Sequence, residues 1–214
     1  MNIPNEKETG RIEAFSDGVF AIALTLLAID LRAPALEIVN NVSLMEAVLE
    51  RWTEYFAFAN SFVVVLLMWI CHHSIFKFVC KTDTRFMLAN GLALFFVAAV
   101  SYPTSLLAKY LMTDAASAAA AFYAGYLVVA NVAFIILWRT VSSNKKFLKD
   151  DAVNDDIVEL THGLYMTIPI YAGAALLAFV SAWITVTITT VLWVYWAVTL
   201  KNECVERDSC PWET

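Results

Sequence analysis

Asp17 stands where a carboxylate is expensive. It lies in the stretch Arg11 to Arg32, RIEAFSDGVFAIALTLLAIDLR, whose intervening positions 12–31 are mostly apolar. Twenty such residues cross a bilayer core of about 30 Å at 1.5 Å per helical residue. Asp17 then sits about 9 Å in from Arg11. A charge at that depth faces protein or water, and it marks a functional position by default. Polar residues lie further along, with Trp69, His72 and His73 in the next long apolar stretch and Arg85 and Asn90 at the start of the one after, and their His, Asn and Arg side chains could supply the donors it needs. Such a set can act as a structural polar network, a proton relay from Asp17 to His72, or a metal site on the paired histidines. No Cys or carboxylate stands at a usable i,i+4 spacing from the histidines, which speaks against the metal. Catalysis has no support either, because the chain carries no nucleophile elbow, no HExxH and no Gly-rich phosphate loop. We therefore expect a protein that is not an enzyme.

The elements that must hold these residues are membrane helices. Of 214 residues, 60% are hydrophobic and only 16% charged. A soluble domain of that size needs more charge on its surface. The apolar runs are long rather than ten-residue alternating segments, so the expected fold class is an all-α integral membrane protein. No basic patch interleaved with aromatics points to nucleic acid. Cys71, Cys80, Cys204 and Cys210 form no CxxC pair and are read as inert. Glu6, Lys7, Glu8, Arg11 and Glu13 make no positive n-region, so the first apolar stretch reads as a retained span rather than a cleaved signal.

Six transmembrane helices are expected, at about 12–31, 55–76, 87–111, 116–138, 161–181 and 184–200. Ser43 to Glu54 reads as a short amphipathic helix, with Ser43 and Glu46 in capping-box spacing. Pro103 is expected to kink the third span. The polar stretch 139–159 reads as a cytoplasmic loop or short surface helix, and 201–214 as a cytoplasmic tail. From Leu160 to Leu200 no residue carries a fixed charge. A straight helix of that length is about twice the bilayer core, so a turn is expected near Ser181 to Thr187.

Six spans put both termini on one side. That side collects Lys7, Arg11, Lys77, Lys81, Arg85, Arg139, Lys145, Lys146, Lys149, Lys201 and Arg207, leaving only Arg32, Arg51 and Lys109 opposite. The bias makes both termini cytoplasmic. On the outer side Asp30, Glu37, Glu46, Glu50 and Glu54 form either an acidic mouth that concentrates cations or a solvated loop.

Wound as a helix, the first span puts Ile22, Thr25, Leu26 and Ile29 on one face. Periodicity alone leaves packing and pore lining both open. Arg11-Ile-Glu-Ala-Phe15-Ser16-Asp17 also fits the pattern RxxxFSD, and FSDGVFAIALTLL resembles the first helix of the transmembrane protein 175 family of potassium channels. Trp69-x-x-His72, Asn90 and Tyr102-Pro103-Thr104 extend the likeness along the chain.

The resemblance implies a bacterial subunit with one six-span repeat, four copies of which surround a pore lined by the first helix of each. It places a hydrophobic constriction at Ile22, a threonine layer at Thr25 and further aliphatic layers at Leu26 and Ile29. Permeant potassium ions would pass near Ile22, Thr25 and Leu26. Arg11, Phe15, Ser16, Asp17, Trp69, His72 and Asn90 would form a structural network behind the pore. No carbonyl filter of the TVGYG kind is present, so only modest preference for potassium over sodium is expected. The implied protein is a homotetrameric cation leak channel of a prokaryotic plasma membrane, with no cofactor beyond its permeant ions. A proton-coupled transporter using Asp17 and His72 is the alternative.

Overall fold

A computed structural model describes residues 5–29, 31, 33, 40–79, 81–143, 148 and 154–199. Among them are eight helices: α1 (Asn5–Ile29), α2 (Asn41–Glu50), α3 (Trp52–Lys77), α4 (Thr84–Ala98), α5 (Ser101–Tyr110), α6 (Ala116–Ser142), α7 (Asn154–Leu177) and α8 (Ala182–Thr199). The fold is all-α. Its one extended pairing among the described residues is an isolated antiparallel bridge between Val79 and Leu148. That bridge joins the segment after α3 to the segment after α6, which puts both on the same side of the bundle.

Among the described residues five stretches are long and apolar enough to cross a membrane: Thr9–Ile29, Trp52–Lys77, Thr84–Tyr110, Ala116–Ser142 and Asp156–Leu177. Helix α8 is apolar and has 18 residues, about 27 Å of helix. The bundle forms around α6, which packs against α4, α5, α7 and α8. Small side chains make that possible: Ala119, Ala120, Ala124, Ala130 and Ala133 are all buried and let neighbouring backbones approach closely. Helix α1 instead lies at the edge, against α3 and α4 and more lightly α5.

Several local expectations are corrected by backbone chemistry. The cap of α2 is Asn40, whose side chain accepts from the Ser43 amide at 2.8 Å. The helix therefore starts before Ser43, and the capping box does not form. Arg51 ends α2 and its side chain grips Glu54, so α3 begins at Trp52 rather than Tyr55. The third span breaks at 99–100, ahead of Pro103. Proline has no N–H for the Ala99 carbonyl, and the Tyr102 amide takes that carbonyl instead at 3.2 Å.

The loop expected over 139–159 is shorter than its polarity implies, because α6 runs to Ser142 and α7 starts at Asn154. Ile157 and Leu160 pack against the main core, and the Asp156 carboxylate favours a helix N-terminus. The turn between the last two helices falls at 178–181, earlier than expected. Ala178 and Ala182 are small and buried there, and Thr185 Oγ1 donates to the Ala174 carbonyl at 2.6 Å. That bond ties α8 to α7 with no need of glycine or proline. Asp30, Arg32, Glu37, Cys80, Cys204, Cys210 and the expected tail 201–214 lie outside the described residues.

A second polar cluster, unforeseen from sequence, sits in the apolar interior. Asn60 on α3 donates to the Tyr123 hydroxyl at 2.9 Å and accepts from Trp193 Nε1 at 3.0 Å and Thr190 Oγ1 at 3.2 Å. Ser61 Oγ lies 3.3 Å from the same hydroxyl, and Thr104 Oγ1 donates to Ser61 at 2.6 Å. One asparagine thus joins α3, α6 and α8. Asn60→Leu strands the Trp193 indole and weakens the hold on Tyr123. We expect a loss of about 1–2 kcal/mol, read as a lower unfolding midpoint in detergent; an unchanged midpoint would mean that the cluster adds nothing to stability.

Candidate pore helix and its polar anchor

Helix α1 has two faces set by its winding. Ser16, Phe20, Ala23 and Leu27 recur at spacings of four, three and four, and all are buried. The opposite side carries Ile22, Thr25, Leu26 and Ile29. Ile22 is 60% exposed and Ile29 67%, with Thr25 and Leu26 also exposed. A membrane helix that buries its aliphatic residues only on one side leaves the other for lipid, for another copy of the chain, or for a path between copies.

The buried face is pinned by a directional chain of hydrogen bonds. Ser16 Oγ donates to the Ile12 carbonyl at 2.8 Å. Its single proton is then used, so the hydroxyl accepts from Asn90 Nδ2 at 3.0 Å. The Asn90 amide must therefore turn its oxygen to His72 Nε2, 2.8 Å away, and that nitrogen carries the hydrogen. Steric contacts hold the imidazole in place. Phe20 meets it edge-on at 5.3 Å and Phe76 stacks on it at 4.4 Å. Ser16, His72 and Asn90 are buried, and the bonds link α1 to α4 and α4 to α3. Buried, hydrogen-bonded groups of this kind fix helix rotation.

Asp17 belongs to a separate set. One residue further along, a rotation of about 100°, carries it from the Ser16 face to an exposed one. There Oδ1 accepts from Trp69 Nε1 at 2.8 Å. Trp69 stacks on His73, with ring centres 5.9 Å apart and planes 19° from parallel. His73 Nδ1 in turn lies 3.5 Å from a Glu13 carboxylate oxygen. The two adjacent histidines thus serve different faces of α3, His72 inward to Asn90 and His73 outward to Glu13. Among the described residues no hydrogen bond joins Asp17 to His72, and no three metal-ligating side chains cluster.

Two expected members of the network stay outside it. Arg11 is exposed, with no ion pair or hydrogen bond among the described residues, and Phe15 is 67% exposed. Both sit on the side of α1 that continues through Gly18 and Ile22, so winding turns them away from Asn90. Arg85 is likewise exposed. Among the outer acids, Glu46 and Glu50 are exposed on α2. Glu54 is engaged by Arg51, at 3.0 Å through Nε and 2.6 Å through the terminal nitrogen, and so brings no uncompensated charge to a mouth.

Thr25 offers one more chemical feature. Its hydroxyl donates to the Ile22 carbonyl at 2.8 Å while its side chain is exposed. With the proton turned into the helix, the oxygen lone pairs face outward. An outward oxygen with no outward hydrogen is a ligand for a cation rather than an anion.

Known proteins are similar to this chain over nearly its whole length. The family described as "Endosomal/lysosomal potassium channel TMEM175" matches residues 11–103. A Chamaesiphon minutus protein named a potassium channel is 40% identical over 198 residues, 92% of this chain and 98% of its own length. A Gallus gallus protein named an endosomal/lysosomal proton channel is 40% identical over 103 residues, 45% of this chain and 20% of its own length. Among solved structures, the crystal structure of a lysosomal potassium-selective channel TMEM175 homolog from Chamaesiphon minutus superposes with a TM-score of 0.81. The identity there is 39%, over 91% of this chain and 98% of that one. With that family match and a relative alike over more than nine-tenths of both chains, this multi-pass membrane protein belongs to the TMEM175 family.

Proposed function

We propose that this chain is the subunit of a potassium-selective cation leak channel, and that four copies enclose a pore lined by α1. The observation that carries the reading is the open stripe Ile22, Thr25, Leu26 and Ile29 on a helix whose other face is fully packed. One such helix cannot enclose a path, whereas a ring of them can. The names of the Chamaesiphon relatives supply the permeant ion.

In that ring Ile22 forms a hydrophobic constriction that gates by excluding water, so no charged plug is needed. Thr25 supplies the outward hydroxyl oxygens just beyond it. Hydroxyls and aliphatic rings replace a hydration shell less completely than stacked carbonyls, which makes selectivity over sodium modest. Ser16, Asn90 and His72 keep α1 rotated with this stripe outward, and Trp69 holds Asp17 at the helix edge. Glu46 and Glu50 raise the local cation concentration on the outer side. Six crossings with cytoplasmic termini in a prokaryotic plasma membrane are supported by the basic-residue bias and by the bridge that puts Val79 and Leu148 on one side. The absence of a hydrogen bond between Asp17 and His72 disfavours the proton-coupled transporter.

Potassium and then sodium gradients imposed on liposomes holding the protein test the function. Channel flux should follow potassium more readily than sodium and should not saturate; saturable uptake driven by a proton gradient would overturn the reading. Ile22→Asn should wet the constriction and raise flux roughly tenfold, the factor given by about 1.4 kcal/mol off a barrier. An unchanged single-channel current would remove Ile22 as the narrow point. Asp17→Ala and Trp69→Phe, which delete the acceptor and the donor of one bond, should both make the assembly dissociate at lower temperature on size exclusion. Tetramers as heat-stable as the parent would show that this bond does not support assembly.

A further inference from the structure

A cavity of about 150 Å³ lies behind α1, where the end of that helix meets the start of α3 and the end of α5. Its position is at the end of the bundle opposite the Val79–Leu148 bridge, which is the outer end in the proposed orientation. Two of its lining residues are basic. Arg51 precedes α3 and Lys109 lies in the last turn of α5, yet they converge on one rim. In the proposed orientation they lie on the side where membrane proteins carry few basic residues.

The electrostatics of the rim are unequal. Glu54 forms a two-point ion pair with Arg51 and offsets its charge. Lys109 is exposed and pairs with no carboxylate among the described residues, so of the described lining residues it brings the excess positive charge. Ser105 adds a hydroxyl beside it. The apolar part of the lining comes from Leu27 of α1, Leu31 just beyond it, and Ala57 and Phe58 of α3, while Thr104 adds a second hydroxyl. A cavity of this volume, with polar and apolar lining in similar share, accepts a small group that carries both kinds of atom.

We propose that this cavity binds an anionic phospholipid of the outer leaflet, with its phosphate at Lys109 beside the Arg51–Glu54 pair and its glycerol and first methylenes against Leu27, Leu31 and Phe58. The combination of a cationic rim with a greasy wall selects an anion attached to an apolar body. A zwitterionic lipid carries a compensating cation that the Lys109 ammonium repels. Lysine and arginine pockets between membrane helices recognise lipid head groups by the same chemistry.

The site also touches the helix that carries the proposed pore. Leu27 is 2% exposed and faces the cavity, on the side of α1 away from Thr25 and Ile29. A lipid wedged there supports α1 from behind and makes conduction depend on anionic lipid. This second part rests on the proposed channel function, whereas the binding part does not.

Native mass spectrometry of the detergent-solubilised assembly, exchanged with phosphatidylglycerol or phosphatidylcholine, tests the binding. Wild-type subunits should retain a phosphatidylglycerol adduct in preference to phosphatidylcholine. Lys109→Gln should weaken it about tenfold, as expected for loss of a charged hydrogen-bond donor, and Lys109→Arg should restore it. Equal retention by wild type and Lys109→Gln would overturn the site, and displacement of the lipid by millimolar inorganic phosphate would overturn the lipid in favour of a bare anion. Potassium flux in phosphatidylglycerol against phosphatidylcholine vesicles tests the second part. Wild-type flux should fall in phosphatidylcholine and that of Lys109→Gln should be low in both. A flux indifferent to lipid would overturn the regulatory half, while a wild type that conducts in neither lipid would count against the channel reading and leave the binding result standing.

Discussion

A hydroxyl has one proton, and the arrangement around α1 depends on where Ser16 spends it. Bonding to its own helix at Ile12 leaves Ser16 an acceptor, which orients the Asn90 amide and then assigns the His72 tautomer. In a lipid-embedded bundle each of these groups would be costly if left unpaired. The register that satisfies all of them allows little rotation of α1. The aliphatic stripe opposite is therefore held outward by polar bonds rather than by any contact of its own.

The bundle can present one helix at its edge because another occupies its centre. The alanines of α6 bring α4, α5, α7 and α8 close, so the stability of the subunit does not rest on burying both faces of α1. Cohesion between helices in lipid comes from close packing and hydrogen bonds, since lipid tails are as apolar as leucine. Asn60, Tyr123, Thr104 and Trp193 supply such bonds in the half of the bundle away from the Ser16 chain. The two polar clusters, one on each side of the apolar middle, divide the work of fixing helix rotation.

Charge is distributed with the same economy. Glu54 is absorbed by Arg51, His73 leans toward Glu13, and Asp17 accepts an indole rather than meeting a cation. The aspartate that first draws the eye in the sequence is therefore an attachment point between α1 and α3. Further up the helix it is the uncharged Thr25 that turns a hydroxyl oxygen outward.

Local pattern carried much of this. Hydropathy alone located the long apolar stretches and the all-α class, and a 3.6-residue period put Ile22, Thr25, Leu26 and Ile29 on one side of α1, because both signals repeat within a few residues. Neighbouring positions also stated that Asp17 needed a donor. Which donor it found was not legible, since Trp69 is 52 residues away and Asn90 lies 74 residues from Ser16. The rotation of three helices about their axes decided it, and with it the exclusion of Arg11 and Phe15 from the network. The separate duties of His72 and His73, the early turn at 178–181 and the meeting of Arg51 with Lys109 at one cavity were decided likewise. Each depends on how distant helices pack side by side, a relation that no periodicity within a single helix records.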